Sequence, residues 1–356
     1  MIDRRHFIAG ATALAISGRA NAAARQRTNP AIAAAVQRLD LPSDFSGIIA
    51  HAVKGRIDFL RTYGWADVEA RIPVDAETKF AFGSASKWLT SVAVLRLAEQ
   101  GALRLDAPIA TYLPDFRPDT GSRVTLDHLL SNTSGIPDLL SRQLKSEPEL
   151  RTSTASAAAI VSRFGGGDLA FAPGDGWDYA ALNWVIVRAI VERITGEAFE
   201  AVVERLVFKP LGMSRTVFAN GGKDKVTGMA AAYQTLDPPV RKMSPVPAFA
   251  GASGNVAGTA ADAVRAAHGI FATKLLRDAS RRELVRIRRA DQEYALGGRI
   301  HRIGNADWGW ETGKVDAYRA HIAHRLDGDR TIVIFNNGDL GQTPIGGWVE
   351  TLAAAV

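Results

Sequence analysis

Phe80-Ala81-Phe82-Gly83-Ser84-Ala85-Ser86-Lys87-Trp88-Leu89-Thr90-Ser91-Val92-Ala93-Val94-Leu95-Arg96-Leu97 is the stretch on which the architecture turns. From Ser84 onward Trp88, Val92, Leu95 and Leu97 recur at helical spacing, and Gly101 stands where a C-terminal cap belongs, so a buried helix is predicted over 84–100. Toward the N-terminus, 46–53 and 56–64 are β-rich on either side of Lys54-Gly55, which predicts a hairpin. A short helix precedes it at 31–39. Toward the C-terminus, 105–290 hold mostly helical segments, among them 126–131, 155–164, 183–194 and 199–208. β-rich sequence returns at 294–301, 314–325 and 330–336, before a short closing helix. Hairpin-linked strands prefer antiparallel pairing. The expectation is therefore an α+β fold: an antiparallel sheet of about five strands built from both chain ends (31–104 and 291–356), flanked by helices, with a largely helical insertion at about 105–290.

The 356 residues are 47% hydrophobic and 22% charged, which is globular composition and excludes a fibre or a disordered tail. With no cysteine, thiolate nucleophiles, disulfides and Cys-ligated metals are excluded. The net charge of +6 sets 43 basic against 37 acidic residues, and the densest basic stretch, 281–289, alternates with apolar positions as a solvated helix face does. No nucleic-acid partner is expected. Arg4-Arg5 followed by an apolar run to Ile16 and by Ala20-Asn21-Ala22 reads as a twin-arginine signal peptide over 1–22, cleaved after Ala22. Its apolar run is too short for the ~20 residues that span a bilayer. The mature domain, 23–356, is expected in the periplasm without a stable membrane anchor.

Ser84 and Lys87, three apart at a helix start, share one face, so an amine can reach a hydroxyl. To serve as a base the amine must hold no extra proton, a state favoured by burial beside the positive end of a helix. The surrounding text strengthens the pairing. Tyr63-Gly64-Trp65-Ala66-Asp67, the 78–87 segment, Leu103-Arg104-Leu105-Asp106-Ala107-Pro108, Val124-Thr125-Leu126-Asp127-His128-Leu129-Leu130-Ser131-Asn132-Thr133-Ser134-Gly135-Ile136-Pro137 and Pro210-Leu211-Gly212-Met213 occur in this order. In them the chain resembles the serine β-lactamase and penicillin-binding-protein family, in its class C β-lactamase, D-alanyl-D-alanine carboxypeptidase and esterase branch.

The resemblance implies a β-lactamase/transpeptidase-like fold, with Ser84 as acylated nucleophile, Lys87 as its base, and an oxyanion hole from the backbone N–H groups of Ser84 and Lys314. It implies a Tyr-x-Asn element, of which Tyr179 is kept as proton relay while Ala181 replaces the asparagine; Asn183 is the candidate substitute. It implies a Lys-Thr-Gly strand, here Glu311-Thr312-Gly313, with an anion in place of the cation that binds a substrate carboxylate. Glu311 is expected to repel such substrates, and Trp308 and Trp310 to wall the cleft with apolar surface. The expected activity is that of a serine hydrolase or acyltransferase on esters or small amides, without cofactor or metal. The runners-up are a D-aminopeptidase, carboxypeptidase or β-lactamase, and a catalytically decayed binding or scaffold homologue. Gly251-Ala252-Ser253-Gly254-Asn255 lacks the spacing of a Gly-x-Ser-x-Gly elbow. His321 and His324, three apart on a predicted strand, face opposite sides and form no metal site.

Overall fold

The computed structural model describes residues 29–356; the signal-peptide expectation for 1–22 lies outside them. Six strands form one antiparallel sheet: β1 Gly47–Val53, β2 Arg56–Tyr63, β3 Arg299–Ile303, β4 Ala306–Val315, β5 Tyr318–Arg325 and β6 Arg330–Asn336. Their order is β3-β4-β5-β6-β1-β2, so both chain ends meet where β1 pairs with β6, from Gly47 opposite Asn336 to Val53 opposite Arg330. The helices that matter below are α1 Pro30–Gln37, α2 Lys87–Glu99, α3 Leu139–Ser146, α4 Ala181–Thr195, α5 Ala260–Ala272 and α6 Gln342–Ala353.

Strand alternation explains why the sheet is buried on both sides. Ile48, Val333 and Phe335 point into the core shared with the helical region, whereas Ile49, Ile332 and Ile334 point into a second core with Ile32, Ile345 and Trp348 of α1 and α6. Each fully buried side chain of this size contributes about 1.5–3 kcal/mol, so a slip by one residue, which exchanges the two sets, is strongly disfavoured. α2 is buried along nearly its whole length from Lys87 to Leu97, passing through the larger core.

The expected five strands are six. The predicted strand over 314–325 is broken at Asp316, whose φ of 49° turns the chain between β4 and β5. Within β4 the resemblance implied a strand at 311–313, but residue pattern alone did not mark it, because Gly309 and Gly313 dilute its β-propensity. The 105–290 region also holds short strands, including Val217–Phe218 and Val256–Gly258, which pair in a three-stranded sheet with Phe80–Ala81. No helix among the described residues is long and apolar enough to cross a membrane.

Candidate active site

The turn that bears Ser84 is not α-helical: Gly83–Ser86 is a 3₁₀ turn that runs into α2 at Lys87. In a 3₁₀ turn residues i and i+3 eclipse, which stacks Lys87 over Ser84. Lys87 Nζ lies 3.1 Å from Ser84 Oγ and also hydrogen-bonds the backbone carbonyl of Ser253. The amine faces the ring of Tyr179 at 4.9 Å and that of Trp184, on α4, at 5.4 Å from each centroid. Lys87 is only 3% exposed. The amine thus donates to two oxygens, the Ser84 hydroxyl and the Ser253 carbonyl, which fix its nitrogen beside the nucleophile.

Ser84, Lys87, Tyr179, Ala181 and Lys314 line one cavity of about 270 Å³. That is just below the ~300–1,000 Å³ range of drug-sized ligand sites and suits a small acyl group. The nucleophile turn lies flush against β4 because two glycines allow it. Gly83 has φ 53°, and a Cβ there would come within 2.9 Å of the Lys314 backbone nitrogen. A Cβ on Gly313 would lie 1.9 Å from the Phe82 carbonyl oxygen. The β4–β5 turn is anchored by Lys223, whose buried Nζ meets Asp316 at 2.8 Å. Backbone nitrogens of residues 84 and 314 are thereby held on neighbouring segments, the requirement for a two-donor oxyanion hole.

Several expected site residues lie elsewhere. Asn183 is fully buried on α4, accepting from Ser134 Oγ at 2.8 Å and donating to Asn132 at 3.3 Å, so it does not replace the missing asparagine. It braces the 132–135 loop, whose Asn132 carbonyl in turn receives the Asp178 N–H at 3.0 Å, next to Tyr179. Trp308 and Trp310 do not wall the cleft. Strand alternation turns them to the face opposite Glu311, into the core under α1 and α6, where Trp310 packs edge-on against His321 at 4.0 Å. His324 faces the other side, stacked on Phe271. Among the described residues no cluster of His, Asp or Glu has the makings of a metal site.

Glu311 is 1% exposed, and neither it, Thr312 nor Gly313 lines the cavity; of that segment, Lys314 reaches its wall. Direct repulsion of a substrate carboxylate is therefore not its role. Its carboxylate meets Arg299 at 3.4 Å through both oxygens. Burial pushes its pKa up to about 7, against the opposing pull of Arg299 and Lys87. Tyr294, buried between Trp177 and Tyr179 with Arg299 over its ring, has its hydroxyl held well above the ordinary tyrosine range, chiefly by burial and then by the Tyr179 and Glu311 charges.

The Glu311 shift has a measurable consequence. The unfolded chain releases this proton near pH 4.5 while the folded chain keeps it to about 7. The stability it confers is thus complete below 4.5 and lost as pH rises through 7, by roughly 2–4 kcal/mol. Urea unfolding of wild type and Glu311→Gln at pH 5 and pH 8 should show the wild type losing that much relative to the variant. A difference independent of pH would rule out a buried titrating carboxyl.

Among the cavity residues that sequence reading missed, two bear on the chemistry. Ser253 contributes a backbone carbonyl, which no side-chain pattern reveals. Asp138 was legible as the cap of α3 after Ile136-Pro137, but its place on the cavity wall depends on α4. Its two oxygens accept from Ser141 N–H at 3.1 Å and Ala181 N–H at 2.8 Å.

The Beta-lactamase family model matches residues 32–355, nearly all of the described chain. The chain belongs to the beta-lactamase family. Esterase EstB of Burkholderia gladioli is 36% identical over 200 residues, covering 52% of this chain and 50% of that protein, so this chain spans about half the length of that relative. Among solved structures, the D-amino acid amidase of Ochrobactrum anthropi SV3 complexed with L-phenylalanine superposes with TM-score 0.77 at 20% identity, covering 92% of this chain and 97% of that one. EstCE1, a hydrolase with promiscuous acyltransferase activity, does so at 0.76 and 20%, with the same coverage. At these identities the structures share the beta-lactamase fold with this chain. In this beta-lactamase-family member the nucleophile turn meets β4 at the cavity, with Ala181 on its wall and Glu311 enclosed beside Arg299.

Proposed function

We propose that the protein is a serine hydrolase that forms an acyl-enzyme on Ser84 from small esters or amides. The observation that carries this reading is the 3.1 Å approach of a buried amine, Lys87 Nζ, to Ser84 Oγ at the floor of a small cavity. As the Ser84 oxygen bonds to the substrate carbonyl carbon, its proton passes to Lys87, and the carbonyl oxygen takes the negative charge toward the N–H groups of residues 84 and 314. Tyr179, over which the amine sits, stands on the path by which that proton reaches the departing alcohol or amine. Water then repeats the sequence in reverse, with the proton taken from water and returned to Ser84. The names of its relatives support esters and amides as the substrate range: an esterase, a hydrolase with acyltransferase activity and an amidase. The paired arginines at 4 and 5 support export to the periplasm as the place of action.

A fluorophosphonate probe followed by peptide mapping tests the assignment. One adduct on the Ser84 peptide, absent in Ser84→Ala, is expected, together with loss of p-nitrophenyl ester hydrolysis by about 10³-fold or more. A fully folded protein that takes up no electrophile at Ser84 is instead a scaffold.

A further inference from the structure

The cavity that holds the nucleophile is also lined by a carboxylate, that of Asp138. Ala181 offers no polar side chain, and Asp138 brings a carboxylate to the same place. Backbone N–H groups from two different elements, Ser141 on α3 and Ala181 on α4, fix one oxygen each. The carboxylate is thus oriented by the fold with one lone pair on each oxygen still open, and it makes no ion pair with any described residue. Lys87, engaged with Ser84 and Ser253, and the exposed Lys314 line the same cavity without pairing with Asp138, so a pre-positioned anion in a space of about 270 Å³ is left to select ligands bearing a donor cation, and an acyl group small enough to fit places such a cation within a few bonds of its carbonyl carbon.

We propose that Asp138 recognises a protonated amine on the acyl group, so that the preferred substrates are esters and amides of amino acids with a free amino group. This rests on the reading of Ser84 as nucleophile. The amine meets Asp138 while the carbonyl carbon meets Ser84 Oγ, and acylation at the amine removes both the charge and the fit. The assignment relocates substrate charge selection from Glu311, which is enclosed behind the strand, to a residue that the cavity exposes.

The test compares alanine p-nitroanilide, in both enantiomers, with its N-acetyl and deamino (propionyl) counterparts. In wild type the free-amine substrate should lead in kcat/KM by at least about tenfold, and Asp138→Asn should bring that ratio to about twofold or less. Asparagine caps a helix as well as aspartate does, so the variant keeps the Ser141 contact while giving up the Ala181 N–H acceptor; circular dichroism and an unchanged rate on the propionyl substrate establish that the site keeps its shape. Calorimetric binding of alanine anilide and propionic anilide to Ser84→Ala protein, with and without Asp138→Asn, reads the same preference without turnover. A ratio unmoved by Asp138→Asn, or a wild type that favours the propionyl compound, overturns the proposal. If Ser84 proves not to be the nucleophile, turnover independent of Ser84 reveals that separately, while the binding arm still decides on Asp138.

Discussion

Replacing Lys87 with alanine is expected to lower kcat/KM for ester hydrolysis by about 10³-fold, within the range that positioned acid–base groups contribute. The expectation follows from the surroundings of the amine. Buried, with Ser84 Oγ at 3.1 Å and hydrogen-bonded to the Ser253 carbonyl, Lys87 is the cavity amine that touches the serine hydroxyl and is placed to take its proton. Lys87→Arg separates proton transfer from mere positive charge, because a guanidinium keeps its charge and cannot take up another proton. Both variants should fall together. Stopped-time assays with a neutral p-nitrophenyl ester, alongside circular dichroism to confirm folding, measure this; arginine activity within tenfold of wild type would show that Lys87 acts only as a charge.

The second large effect concerns a residue with no side chain. Gly313→Ala places a Cβ 1.9 Å from the Phe82 carbonyl oxygen and 2.8 Å from its carbon, both backbone atoms that cannot rotate away. β4 must then retreat from the nucleophile turn and take Lys314 with it. Overpacking of this kind costs about 1–3 kcal/mol, and displacement of one oxyanion donor lowers kcat by about 10²–10³-fold. Gly347→Ala, in α6 with open space around it, is the matched control and should be neutral or stabilising by up to about 1 kcal/mol. Urea unfolding and kcat together check the pair. Full kcat in Gly313→Ala would remove the reason for placing an oxyanion donor on β4.

Legibility in the sequence followed the physics of each feature. The helix with Ser84 and Lys87, and the hairpins whose strands meet in one sheet, rest on periodicity and turn chemistry, which are local and survive in the text. β4 escaped residue-pattern reading because its glycines serve a close backbone approach, and that need overrides strand propensity. Glu311 was assigned to the cleft through the Lys-Thr-Gly resemblance and Trp310 from its nearness to it; adjacent strand residues face opposite ways, which sends Trp310 into the second core, while Glu311 is enclosed with Arg299, and neither side chain reaches the cavity. Asn183 was counted two residues on from Ala181, but on α4 that step turns the side chain toward Ser134 and away from the cavity. Asp138 and the Ser253 carbonyl gain their roles from contacts 43 and 166 residues away, which no local pattern encodes.

The cavity walls come from segments near 84, 138, 179, 253 and 314, and the sheet that fixes the last of them closes only when β6 joins β1. The nucleophile turn and its counterpart donor on β4 are therefore joined through a sheet assembled from distant parts of the chain. Electrophile labelling of Ser84 across a urea titration is expected to fall together with circular dichroism, so that the reaction serves as a reporter of the assembled sheet.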